Sequence, residues 1–169
     1  MDGDGNGSKI HDRGAFENRP QQLETETLTM VAKSSDTHST ATDGCAAPTL
    51  SCLYSGGSGT NLQANATNDF VTYRTATLPT GTYAVSVRFK KAPNAGRFRL
   101  AFANSQSGTY TNIGSEQNGY SVVTDWVTVN LGNVTITSSG QKYFRFTVTG
   151  KSGASSGYQL FPDTIDLVK

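Results

Sequence analysis

Five cations recur at alternate positions in the second half of this 169-residue chain: Arg88 and Lys90, Arg97 and Arg99, and Arg145. Trp126, Asn130 and Tyr143 stand at positions that share their phase in neighbouring β-rich runs. A guanidinium offers a planar fork that meets a carboxylate or sulfate through two parallel, charge-assisted hydrogen bonds. An exposed aromatic ring offers flat apolar area to the C–H face of a sugar ring. If the strands carrying these residues share one sheet face, they form a groove for an acidic polysaccharide such as a uronate polymer. The plainer alternative is a solvated sheet face whose cations discourage edge-to-edge pairing.

A second constellation is acidic. Glu24 and Glu26 alternate in the first β-rich run, and Asp163 opens the last. Were those two runs neighbours, three carboxylates would converge with nearby backbone carbonyls, the oxygen-only ligation that Ca²⁺ prefers. The alternative is three exposed acids. Asp2, Asp4, Asn6 and Gly7 echo the start of a calcium loop, but the twelfth position falls on Arg13 and no helices flank it. Cys45 and Cys52 are spaced for a small disulfide loop, with two free thiols as the alternative.

Reactive constellations are scarce. His11 lies in a polar leading segment, and His38 sits among Ser and Thr with no nucleophile or metal partner in sight. No serine occupies a G-x-S-x-G setting, and Ser55-Gly-Gly-Ser-Gly-Thr60 lacks the lysine of a phosphate loop. The acids of the later half are Glu116, Asp125, Asp163 and Asp166, of which the last two suit structural roles. A polysaccharide lyase or hydrolase on a β-scaffold is therefore the weaker reading. The expectation is that the chain is not an enzyme.

The elements that must position these residues are strands. Gly, Ser, Thr and Asn abound while Leu, Glu and Lys are scarce, and no window keeps a helical period. Short β-rich runs are expected at Leu23–Lys33, Phe70–Leu78, Thr82–Lys91, Arg97–Asn104, Trp126–Leu131, Asn133–Ile136, Gln141–Thr149 and Thr164–Val168, punctuated by Gly and Pro turns. Alternation puts Tyr83, Val85, Val87 and Phe89 inward, as it does Phe98, Leu100 and Phe102, and then Phe144, Phe146 and Val148. The Pro93-Asn94-Ala95-Gly96 turn is read as a hairpin that brings its two basic rows together outside. The expected fold class is all-β, a jelly-roll β-sandwich of two antiparallel sheets. Residues 22–169 form it, and 1–21 are a linker or tag-derived segment.

Net charge is only +1, so nothing in the charge balance calls for nucleic acid or a membrane surface. No apolar run approaches the ~20 residues of a membrane span. The opening residues lack a signal-peptide pattern, and the composition reads as part of a larger secreted protein. Asn65-Ala-Thr67 and Asn133-Val-Thr135 are glycosylation sequons whose use depends on the source.

Several motifs, in order, resemble the carbohydrate-binding modules of families 6 and 35. They are Leu23-Glu-Thr-Glu-Thr-Leu28, Tyr54-Ser-Gly-Gly57 and Asp69-Phe-Val-Thr-Tyr73, followed by Leu78-Pro-Thr-Gly-Thr-Tyr-Ala-Val-Ser-Val-Arg88. Phe144-Arg-Phe-Thr-Val-Thr-Gly150 and Asp163-Thr-Ile-Asp-Leu167 complete the series. The likeness runs over residues 23–168 and is nearest to modules attached to alginate lyases and other polysaccharide-degrading enzymes. It implies a galactose-binding-like jelly roll with a structural Ca²⁺ at Glu24, Glu26 and Asp163. It also implies a ligand site either on a sheet face or in end loops around Tyr54, Asn94 and Tyr158. Pro162 before Asp163 and Thr164 after it depart from the usual pattern. The expected partners are a polysaccharide or oligosaccharide, anionic, and an attached catalytic domain, with the module itself a secreted monomer. A glycan-binding adhesion domain is the remaining alternative.

Overall fold

The computed structural model describes residues 20–42 and 54–169. The Cys45–Cys52 pairing, His11 and the Asp2–Gly7 echo lie outside the described residues, as does the expected linker except for its last two residues. Among the described residues eleven strands follow one another: β1 (Gln21–Glu24), β2 (Thr29–Lys33), β3 (His38–Thr42), β4 (Ser58–Leu62), β5 (Phe70–Leu78), β6 (Gly81–Lys91), β7 (Gly96–Ala103), β8 (Thr111–Asn118), β9 (Asp125–Ile136), β10 (Gly140–Lys151) and β11 (Pro162–Val168). They build a four-stranded sheet in the order β1-β11-β6-β9 and a five-stranded sheet in the order β2-β5-β10-β7-β8, with β3 and β4 as a separate pair. Every pairing between these strands is antiparallel. This is the two-sheet sandwich that the alternation calls for.

Apolar rows of the two sheets meet face to face. Phe89 of β6 packs edge-on against Phe98 of β7 with centroids 4.9 Å apart, and Phe98 reaches Phe146 of β10 at 5.6 Å. Val85, Val87, Leu100, Phe144, Phe146, Val148, Ile165 and Leu167 are essentially fully buried around them. Burial of this order contributes about 1.5–3 kcal/mol per large side chain and fixes which face of each strand is outward.

Three expectations need correction. β6 and β7 are not a hairpin: β6 pairs with β9 and β11, whereas β7 pairs with β8 and β10. The chain crosses between sheets at Pro93–Ala95, where buried Ala92 and Ala95 pack into the corner. Alternation misses this because a hairpin and a sheet-to-sheet corner both turn their apolar rows toward the same core. Leu23–Lys33 is likewise two strands in different sheets, broken by a turn in which the Thr27 amide donates to the Glu24 carbonyl at 3.0 Å. Glu26 therefore lies in a turn, not a strand. Conversely, Trp126–Leu131 and Asn133–Ile136 form one strand, β9, with a bulge opposite Val85 and Ser86, where Gly132 takes φ +115°.

The two lateral edges of the sandwich differ. On one, β8 lies against β9 so closely that a Cβ on Gly114 would fall 2.3 Å from the Leu131 carbonyl oxygen. On the other, β2 begins only opposite Arg74, so among the described residues Thr75 to Leu78 of β5 have β10 as a neighbour on one side and no strand on the other.

Candidate functional site

The topology divides the predicted groove. Arg88, Lys90, Trp126 and Asn130 belong to the four-stranded sheet, whereas Arg97, Arg99, Tyr143 and Arg145 belong to the five-stranded one. Because the two sheets face each other through the core, their outer rows point in opposite directions. The single face carrying all five cations does not exist.

On the five-stranded sheet the three predicted cations, Arg97, Arg99 and Arg145, are engaged within the protein. The Arg145 guanidinium lies 3.7 Å from the Tyr110 ring centroid and 4.6 Å from that of Phe70, and its Nε donates to the Thr72 hydroxyl at 2.9 Å. Tyr110 ends a loop that folds over this face, and Gln106 of the same loop reaches the Val31 carbonyl on the far edge strand, β2. Beneath the loop the outward residues Thr72, Ala101 and Ala103 are buried, so alternation of exposure is lost. Arg97 pairs with Glu116 at 3.6 Å, and Arg99 makes a long contact to the Gly114 carbonyl. Tyr143 is half-buried on this face.

The other face has a different character at its upper end, where β6 finishes and β9 and β11 begin. Lys90 sits opposite Trp126 in the strand register, and its ammonium lies 5.6 Å from the Trp126 centroid, 5.6 Å from Tyr54 and 5.3 Å from Phe161. Tyr54 and Trp126 meet edge-on at 5.8 Å. Gly59 is required beneath them, since a Cβ there would fall 2.4 Å from the Tyr54 ring. Tyr54 is thus a buried support, while Trp126 is half-exposed and its buried Nε1–H has no hydrogen-bond partner among the described residues. Rings flanking an ammonium in this way supply flat apolar area and fixed positive charge together. Asn94 and Tyr158 occupy the same end, where the Gln159 amide donates to the Asn94 carbonyl at 3.1 Å and Lys151 stands 5.0 Å from the Tyr158 ring.

The three predicted acids are each met by the short segment Ser55–Ser58 beside this cluster. β1 and β11, the first and last strands, are neighbours, with Glu24 opposite Thr164. The Ser55 hydroxyl donates to Glu24 at 2.7 Å, its amide donates to both Asp163 oxygens at 3.1 Å, and the Ser58 hydroxyl donates to Glu26 at 3.3 Å. Arg88 forms an ion pair with Asp163. One oxygen on each of Glu24 and Glu26 is buried without a partner. Burial, reinforced by the charge of Glu24, raises the Glu26 carboxyl above its ordinary 4.5. Among the described residues no group of three or more His, Cys, Asp or Glu side chains is placed to hold a metal ion, so the predicted three-carboxylate site is not assembled. Glu24 and Glu26 fit a hard cation by their orphaned oxygens, whereas the Asp163 oxygens already receive Ser55 and Arg88.

Under the carboxylates runs a buried chain of hydroxyls. His38 Nε2 lies 2.9 Å from the Tyr73 hydroxyl, which lies 2.7 Å from Thr60, which lies 3.1 Å from Thr25, whose hydroxyl donates to the Pro162 carbonyl. Burial lowers the His38 pKa, with Lys33 adding to the effect, and pushes the Tyr73 phenol upward. Sequence reasoning missed this chain, together with Phe161 and Tyr110. Phe161, an aromatic immediately before Pro162-Asp163, is the one a sequence signal could have flagged.

The architecture can now be placed. The domain has the galactose-binding-like fold of the family 6 and 35 carbohydrate-binding modules. Its fold matches the module of Cellvibrio mixtus lichenase 5A in complex with cellotriose (TM-score 0.51, 18% identity, 88% of this chain and 95% of that one). It also matches the Podospora anserina β-(1,4)-mannanase that carries a family 35 module (0.53, 17%, 90% of this chain and 28% of that one). A Paenibacillus xanthan lyase matches at TM-score 0.73 and 30% identity over 88% of the domain, which spans only 13% of that enzyme. No family model and no curated protein sequence matches. Among the described residues no helix is long and apolar enough to cross a membrane.

Proposed function

We propose that the domain is a noncatalytic carbohydrate-binding module of a secreted polysaccharide-degrading enzyme and that it takes an acidic, uronate-type chain such as alginate. One observation carries the reading: Lys90 and Trp126 are paired in register at the upper end of the four-stranded sheet, amid Tyr54 and Phe161. The indole takes the C–H face of a sugar ring while the ammonium meets its carboxylate. Asn94 and Tyr158 extend the same end of the sandwich. The match to a small part of a much longer xanthan lyase supports an appended module, which raises the local substrate concentration for its attached catalytic domain. The module acts as a monomer.

Calcium is part of this proposal. Glu24 and Glu26 hold it, and Asp163 joins them from β11 only by giving up its ion pair with Arg88. A hard cation would supply partners for the two buried, orphaned carboxylate oxygens.

Affinity electrophoresis in gels containing alginate, pectate or a neutral glucan tests the binding, with ultraviolet absorbance following any unsaturated product. Retardation by the two uronate polymers without product formation is expected. Product release would overturn the noncatalytic reading, and retardation by the glucan alone would overturn the acidic ligand.

A further inference from the structure

The open lateral edge of the sandwich contains a cleft of about 370 Å³ that the upper site does not use. It lies where the chain leaves β1, turns through Thr27 and Leu28 and enters β2, beside the stretch of β5 that lacks a second strand neighbour among the described residues. Gln22, Leu23, Leu28, Thr29, Arg74 and Gln141 supply its main walls. The volume is at the lower end of the range for small-molecule sites, about 300–1,000 Å³.

Its polar groups sort into spent and unspent. The Thr27 hydroxyl donates to the Glu24 carbonyl and the Thr75 hydroxyl to the Ala76 carbonyl, so both donors are occupied. Arg74, partly buried as a residue, makes no side-chain hydrogen bond or ion pair among the described residues, and no carboxylate lines the cleft. The planar fork of Arg74 can meet an entering carboxylate through two charge-assisted hydrogen bonds. Gln141 and Thr29 add exposed amide and hydroxyl groups suited to sugar hydroxyls, and Leu23 and Leu28 add apolar surface. Charge, hydroxyl-binding groups and apolar wall are thus gathered within one sugar-sized space.

We infer that this edge cleft is a second saccharide subsite, one that takes a single carboxylate-bearing pyranose unit with its carboxylate on Arg74. The inference takes its ligand class from the carbohydrate-binding reading, but its residues are separate. Trp126 is on β9, at the opposite end of the strand order from β1. Two sites on one module would let a polymer engage twice, so avidity would exceed either affinity alone.

Amide NMR titration of the domain with D-glucuronate, and in parallel with D-glucose and acetate, tests it. Glucuronate is expected to shift the amides of Leu23, Thr29, Ala76 and Gln141 saturably, and neither control should reproduce the pattern. Arg74→Gln should raise the Kd read at these amides at least tenfold and leave the response of the Trp126 indole unchanged. Silence of the cleft amides, or the same shifts with glucose or acetate, overturns the subsite, and wild-type titration alone decides these outcomes should the variant misfold. Unchanged shifts in a folded Arg74→Gln variant also overturn it. A silent Trp126 indole with a responding cleft would instead break the proposed upper site and leave this one standing.

Discussion

On the four-stranded sheet, Lys90 stands at the rim with Trp126 half-exposed beside it; on the five-stranded sheet, Arg145 lies between Tyr110 and Phe70 beneath a loop that reaches across to Val31. Both arrangements place a cation against aromatic rings, yet they differ in what else is near. Arg145 has a hydroxyl partner in Thr72 and closes over buried Ala101 and Ala103, so its guanidinium holds a loop to a sheet. Around Lys90 the rings belong to three separate segments that meet at the end of the sandwich, which leaves Trp126 accessible there. The same residue types serve as a clamp in one place and as a candidate binding surface in the other, and neighbours on other strands make the difference.

The largest expected effect is on binding. Trp126→Ala should weaken retardation in alginate gels by at least tenfold while changing the melting temperature little. Equal retardation of the variant and the parent would erase the distinction between the two faces. Arg145→Ala should do the reverse, keeping binding within about twofold. It should cost about 1–2 kcal/mol through the lost ring contacts and the lost Thr72 hydrogen bond, a drop of roughly 2–8 °C in Tm by calorimetry. Faster amide exchange in residues 104–110 would confirm the clamp.

Protonation sharpens the contrast further. Glu26, and Asp166 on β11, both have raised carboxyl pKa values, caused first by burial. Stability from such groups is fully present below their unfolded pKa and is lost as pH rises through the folded one. In chelator the Tm should therefore fall as pH climbs through and above the carboxylate range, and calcium should abolish the share of that fall that belongs to Glu26, leaving the share of Asp166. Identical melting curves with calcium and chelator, or an unchanged calcium response in Glu26→Ala, would remove the metal from the proposal. His38 behaves oppositely: its lowered pKa gives stability that is present above 6.5 and lost as pH falls toward the folded value. The smallest effect belongs to Arg97→Ala. Its pair with Glu116 is well exposed, and such pairs contribute about 0–1 kcal/mol, so neither Tm nor retardation should move appreciably.

Much of the fold was legible because strands that bury one face carry a period of two. Tyr83 to Phe89, Phe98 to Phe102 and Phe144 to Val148 each declared their inward rows, and all are buried. β3, β4 and β8 escaped because they have little such rhythm: in β8 only Ile113 is buried, and the rest of Thr111–Asn118 is polar. The nearness of Glu24 to Asp163 was legible only on the condition that the first and last strands pair, as β1 and β11 do. The split of the cationic residues between two faces was not legible. Nor was the Arg74 cleft, which exists only because β2 starts late along β5.

Sequence alone determined that this is an antiparallel sandwich and which side chains of β6, β7 and β10 fill its core. Those properties follow from local alternation and from the free energy of burying apolar area, and both are carried by neighbouring residues along the chain. Tertiary structure decided which strands share a sheet, and hence which outward residues share a surface. A corner and a hairpin at Pro93–Ala95 satisfy the same alternation, so only the pairing of β6 with β9 and β11, and of β7 with β8 and β10, could separate Lys90 and Trp126 from Arg145.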